Sequence, residues 1–262
     1  IKTITALGGF ASSAISALTA QNTSTITAFH MVPPEFVAEQ MRVVISDIGV
    51  DCIKTGMLHN KAIISEVALL INNHAPDSPL VVDPVMVAKS GDALLEDTAC
   101  EALKSLILPI SSILTPNIPE AEVLSGTKIK TLSDMKDSCE ILMTTGPKAV
   151  LLKGGHLEGN DLFDVLMCDE GEFVYQSERI ESTNTHGTGC TLASAIAVGI
   201  ANGLSIPDAV CQGRSYVRNA ILYAPGFGFR QTASPLRRRS SRQCRCQQGN
   251  ALCRRLPRRV GA

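Results

Sequence analysis

What this 262-residue sequence lacks removes several classes of protein at once. No run of 18 apolar residues occurs, so a membrane-spanning helix is not expected. No Pro/Gly/Ser-rich linker divides the body, and 45% of the residues are apolar, enough for one sizeable core in one large domain or two intimate halves. The six body cysteines (Cys52, Cys100, Cys139, Cys168, Cys190, Cys211) form no C-x-x-C pair, and no His stands at zinc-finger spacing. Most of them therefore read as small buried hydrophobes of a reduced, cytoplasmic protein.

The last 33 residues lack Lys, Asp and Glu but hold ten arginines. Removing those ten from the 24 basic residues leaves 14 against 25 acidic ones, so residues 1–229 carry about −11 while the whole chain carries −1. An acidic body with a basic tail raises the reading of a nucleic-acid arm, because clustered arginines displace counterions from phosphates. The missing lysines and the scattered Cys244, Cys246 and Cys253 speak against it. Out-of-frame translation of a GC-rich gene end yields such an Arg/Cys/Gln/Pro/Ser mixture and is the favoured explanation. Residues 1–229 are then the folded domain, and 230–262 a disordered or non-native tail.

Within the body, extended and helical patterns alternate. "ASSAISALT" (11–19) reads as a buried strand and "STITAFHMV" (24–32) as a second extended piece. A helix follows Pro33-Pro34, with Phe36, Val37, Met41, Val44 and Ile45 at helical spacing. Short apolar strands are expected at 51–57, 79–86, 111–117 and 148–155. Helices are expected at 61–73, 96–109, 119–125, 132–144, 188–202 and 206–223. "DLFDVLMCDEGEFVYQ" reads as a hairpin turning near Asp169-Glu170-Gly171. Nearly all-apolar strands alternating with helices predict a mostly parallel sheet covered on both faces, with its ligand crevice at the carboxyl ends of the strands. Gln21, Lys54, Met57, Asp83, Asn117, Glu120, Lys153 and the turn Thr185–Cys190 fall at those ends.

Each of these has a plain alternative. In "THGTGC" (185–190) the backbone N–H groups of Gly187, Thr188, Gly189 and Cys190 would be unpaired donors at a helix's positive end, a ready anion site; the alternative is a tight turn before a helix. The same dipole is expected to lower the Cys190 pKa and make its thiol a proton acceptor. Asp83, in "VVDPVM", can hold Mg²⁺ or orient a metal-bound water, or merely cap a turn. Asn117 and Glu120, in "TPNIPE", can face one pocket, or Glu120 can be an ordinary first-turn acid. Lys153, in "LLKGGH", can neutralise phosphate while the glycines admit close backbone approach, or the segment is simply a turn. His186 has either a role at the anion turn or a local hydrogen bond, and His156 reads as structural or solvent-facing. An anion cradle, two carboxylates, a lysine and a base are the parts of phosphoryl transfer. No Walker loop G-x-x-x-x-G-K-[ST] is present, so a nucleotide would have to be held another way.

"LTAQNT", "KTGML", "DPVMVAKSGDALL", "TPNIPEAEVL", "VLLKGGH" and "NTHGTGCTLASAIA" together resemble the hydroxymethylpyrimidine/phosphomethylpyrimidine kinases of thiamine biosynthesis, within the ribokinase-like superfamily. The resemblance implies a three-layer α/β/α fold, ATP as donor and Mg²⁺ as cofactor. It implies two successive transfers, onto 4-amino-5-hydroxymethyl-2-methylpyrimidine and then onto its monophosphate. By motif, Cys190 becomes the catalytic base, where most of the superfamily uses Asp, and Gly187, Thr188, Gly189 and Cys190 the anion hole. Asp83 and Glu120 become the metal ligands; Lys153, Asn117 and Thr185 contact nucleotide; Gln21, Met57 and Val85 meet the pyrimidine. A homodimer is implied by the resemblance alone. A family strand and Gly-rich loop are expected ahead of the position of Ile1, and a Gly-His-Gly-Pro-like segment where the arginine tail begins at Arg230. A pyridoxal kinase of the same fold, and a catalytically impaired ligand-binding remnant, are the competing expectations.

Overall fold

The computed structural model describes residues 1–22, 25–86, 97–155, 161–182 and 185–224. His156, residues 87–95 of the "DPVMVAKSGDALL" segment and the arginine tail lie outside them.

A six-stranded sheet runs in the order β3 (Ile53–Thr55), β4 (Leu80–Val82), β5 (Ile113–Leu114), β6 (Ala149–Lys153), β7 (Asp161–Cys168), β8 (Gly171–Glu178). The first four strands are mutually parallel, and β7 and β8 form the expected antiparallel hairpin at one edge. Because side chains alternate across a strand, neighbouring residues enter opposite cores. Leu80, Val82, Leu114, Val150, Leu152 and Val165 pack on one face, against α3 (Lys61–His74), α4 (Asp97–Ala102), α5 (Ile118–Ser125) and α6 (Leu132–Met143). Val81, Ile113, Ala149, Leu151 and Leu166 pack on the other, against α7 (Thr188–Ala201) and α8 (Ile206–Leu222). Both faces are covered, so the strands can be apolar throughout, and the architecture is the three-layer α/β/α one expected.

The helices start where cap chemistry allows. Asn60 caps α3, Thr131 caps α6 through a capping box with Asp134, and Ser205 caps α8. The region expected as one helix over 96–109 is instead α4, a π-wound turn Leu103–Ile107 and a 3-10 turn Leu108–Ile110. Pro109 explains the change of winding, since it has no N–H for an i−4 bond and its ring would strike the preceding turn.

One expected buried strand is corrected. Of 11–19 only the end is extended, as β1 (Ala17–Gln21), which pairs with β2 (Ile26–Met31) in a separate two-stranded ribbon. The small, β-branched residues that suggested burial make a ribbon with most side chains exposed. The ribbon is tied down at its base, where Ser16 Oγ donates to the Met57 carbonyl (2.7 Å) and the Phe29 ring meets His59. The helix α2 (Pro34–Asp47) follows it, burying Val37 but leaving Phe36 exposed. At the other end of the chain, the short α1 (Lys2–Ala6) lies against α7.

Candidate active site

The carboxyl ends of the parallel strands deliver one charged cluster. Asp83 leaves β4 just before Pro84 and is almost wholly buried. Lys153, the last residue of β6, brings its Nζ to 3.4 Å from Asp83 Oδ1, and Lys54 of β3 brings its Nζ to 3.4 Å from Oδ2. Burial alone would raise the Asp83 pKa, but the two ammonium groups and hydrogen bonds from Cys190 and Lys153 outweigh it, so the carboxyl stays below its ordinary value. The Oδ2 atom is buried and, at 3.4 Å from Lys54, has an ion-pair partner but no hydrogen bond.

Across from Asp83, Gly187 adopts a left-handed conformation (φ 77°) that opens α7, and no side chain caps the helix. The first-turn N–H groups of Thr188, Gly189 and Cys190 therefore have no partner along the helix, as expected for an anion-binding end. A Cβ placed on Gly189 would stand 3.5 Å from Lys153 Nζ, so the lysine lies directly beside this turn. The Thr188 hydroxyl donates to the Thr185 carbonyl (3.0 Å), which braces the turn from behind.

Cys190 is open to solvent yet surrounded by protein on most sides, and this corrects the expected thiol. Crowding pushes its pKa up rather than down; Asp83 adds to the rise by charge and by accepting the thiol's hydrogen bond, and Lys54 and Lys153 only partly oppose it. The helix end does not win, because desolvation penalises the thiolate more strongly.

Asn117 and Glu120 form a reciprocal cap at the start of α5. Glu120 N–H donates to Asn117 Oδ1 (2.9 Å), and Asn117 N–H to Glu120 Oε2 (2.8 Å). The first-turn-acid reading of Glu120 is thus realised, but the residue is also buried beside Lys153. Burial raises its pKa to about 7, against the lowering pull of Lys153 and Asn117. Asn117 also bridges Lys153 across the parallel strands, which fixes the capping box beside the lysine.

The residues expected to meet the pyrimidine are less concentrated. Val85 directly follows Asp83-Pro84 and is half-buried, and Met57 lies on the loop after β3 with its carbonyl engaged by Ser16. Gln21 is exposed at the end of the β1–β2 ribbon rather than on a strand of the main sheet. Lys54 gains a role that its position in "KTGML" alone did not assign. Its partner lies in another strand, so only the folded chain shows the pair.

A family model described as phosphomethylpyrimidine kinase matches residues 1–236. The chain belongs to that family. Its relatives include a Streptomyces coelicolor hydroxymethylpyrimidine/phosphomethylpyrimidine kinase, 41% identical over 84% of this chain and 81% of that protein. They also include the Geobacter sulfurreducens thiamine biosynthesis bifunctional protein ThiED, 44% identical over 87% of this chain and 46% of that protein. The chain thus spans less than half the length of the bifunctional relative. Among solved structures, the Staphylococcus aureus pyridoxal kinase in complex with AMP-PCP and pyridoxal aligns with a TM-score of 0.81 at 29% identity, covering 89% of this chain and 85% of that one. This phosphomethylpyrimidine kinase family member is a phosphotransferase with the ribokinase-like fold. No helix among its described residues is long and apolar enough to cross a membrane.

Proposed function

We propose that this chain uses ATP to phosphorylate 4-amino-5-hydroxymethyl-2-methylpyrimidine and then the resulting monophosphate. The observation that carries the reading is the convergence of Lys54, Asp83, Lys153 and Cys190 at the uncapped end of α7, within a family-wide sequence match. The Gly187–Cys190 turn would hold the transferring phosphoryl group through backbone N–H groups, with Thr185 behind it. Lys153 would neutralise the nucleotide phosphates beside Asn117. Cys190 would take the proton from the acceptor hydroxyl. Its raised pKa keeps the resting thiol protonated, so the active thiolate forms as pH rises and Lys54 and Lys153 favour it.

Mg²⁺ fits this donor set as a phosphate-bound ion rather than a caged one. The described residues contain no group of three His, Cys, Asp or Glu able to hold a metal, whereas Asp83 and Glu120 provide the one or two carboxylates usual for Mg²⁺ held largely by water and phosphate. When bound there, Mg²⁺ would offset charge on the phosphate oxygens. Gln21, Met57 and Val85 are proposed to contact the pyrimidine, Gln21 by hydrogen bonds from the exposed ribbon and the other two by apolar packing.

The second reading is a pyridoxal kinase, favoured by the backbone likeness to the S. aureus enzyme. The two are separated by ADP formation with each alcohol under the same ATP and Mg²⁺ concentrations. Faster turnover with the hydroxymethylpyrimidine is expected. Faster turnover with pyridoxal would overturn the substrate assignment, and nucleotide binding without turnover on either alcohol would favour the remnant.

A further inference from the structure

Beyond the strand-end cluster, a partly buried polar network joins α8 to the turn that follows Lys153. Asp164 of β7 is the ladder partner of Lys153. One oxygen of its carboxylate, Oδ1, accepts the Gly154 N–H at 3.0 Å, and the other, Oδ2, accepts Arg214 Nε–H at 2.7 Å. Arg214 reaches it from α8 with its guanidinium 4.9 Å over the Tyr175 ring, and its Nη2 also lies 3.4 Å from the Tyr175 carbonyl and from Ser177 Oγ. On the far side of the turn, Arg179 donates to the Gly155 carbonyl (3.2 Å). The backbone is equally confined, since a Cβ on Gly154 would stand 1.8 Å from the Phe163 carbonyl oxygen.

We infer that Asp164, held by Arg214, is a positioning residue for nucleotide binding: it fixes the Lys153–Gly155 turn so that the Lys153 ammonium stands beside the first turn of α7. The inference rests on the proposed nucleotide role of Lys153, though not on which alcohol is the acceptor. The position needs two polar contacts, one accepting the turn's N–H and one paired with residue 214, and the Asp164 carboxylate supplies both, its charge offset by Arg214. A side chain that only filled space would need neither. The chain draws the turn tight from both sides, and a turn so held cannot let Lys153 drift away from phosphate.

The test uses the full chain and titrates AMP-PCP with Mg²⁺, which needs no acceptor. Asp164→Ala is expected to weaken AMP-PCP binding about tenfold, as a misplaced binding group does. The double variant Asp164→Asn/Arg214→Gln keeps one oxygen for Gly154 N–H and pairs the two amides, so it should return to within about threefold of the parent. Val210→Ala in α8 serves as the destabilised control, lowering the melting temperature without loosening AMP-PCP. Near-parental affinity in folded Asp164→Ala would overturn the inference. So would an equal loss in the Val210→Ala control, or a double variant no better than Asp164→Ala. If the parent chain itself binds AMP-PCP but phosphorylates neither alcohol, the substrate reading fails and this inference stands.

Discussion

The Lys153 ammonium at the end of β6, beside the first turn of α7, stands 3.4 Å from the Asp83 carboxylate at the end of β4. That contact joins the anion-binding turn to the strand-end carboxylate that two lysines share. It also explains the chemistry expected of the thiol: a carboxylate held ionised by Lys54 and Lys153 is a good hydrogen-bond acceptor and a poor proton acceptor. The Cys190 proton is therefore lost to solvent as pH rises rather than handed to Asp83.

Glu120 makes the ligand-free protein less stable at alkaline pH. Its pKa is raised to about 7 from an ordinary 4.5, so the folded state holds the proton more tightly than the unfolded chain. The associated stability is fully present below pH 4.5 and is lost as pH rises through 7, by on the order of 3 kcal/mol. Glu120→Gln should thus be more stable than the parent at pH 8 and equal to it near pH 4. Denaturant midpoints at the two pH values check this, and a parent more stable than the variant at pH 8 would contradict it.

Two adjacent glycines should behave oppositely. Gly154→Ala forces a Cβ into the Phe163 carbonyl, which the backbone can relieve only by moving a strand, so a loss of more than about 4 kcal/mol is expected. A Cβ on Gly155 meets nothing within 4 Å, and Gly155→Ala should stay within about 0.5 kcal/mol of the parent. Thermal melts of the two variants decide it; equal destabilisation would mean the close approach at Gly154 is relieved cheaply.

Removing either lysine from Asp83 should separate their roles. Each side chain is 16% exposed, and losing one of two partners should cost about 1–3 kcal/mol. The low Asp83 pKa contributes stability above its ordinary value of 3.8 that is lost as pH falls, so both Lys54→Met and Lys153→Met should flatten the acid limb of the stability profile. Only Lys153→Met should also weaken AMP-PCP binding strongly. Equal weakening by Lys54→Met would show that both lysines face the nucleotide.

Apart from the winding change at Pro109, which is local, sequence and structure part company for tertiary reasons. The apolar strands of the sheet, the Asn117–Glu120 box and the glycine opening α7 are local patterns and can be read in a single pass. The exposed ribbon is different: "SALTAQ" and "TITAFHM" have strand composition whether they sit in a core or outside it, and only the pairing of β1 with β2 shows which. The Cys190 pKa rises where the sequence predicts a fall, because a helix end is visible in sequence and the crowding around it is not. Asp164 and Arg214 stand 50 residues apart with no motif around either, so nothing local announces their pair. The same holds for Lys54 and Asp83, whose meeting depends on β3 lying next to β4.

The central claim is that Cys190 takes the acceptor's proton, and single-turnover phosphoryl transfer from ATP to the hydroxymethylpyrimidine by Cys190→Ala tests it most directly. Transfer should slow by about 10²–10⁴-fold with AMP-PCP affinity unchanged, and the parent's rate should climb with pH while the residual rate of the variant does not. A Cys190→Ala protein that transfers at the parent's rate, with the parent's pH profile, would contradict the account.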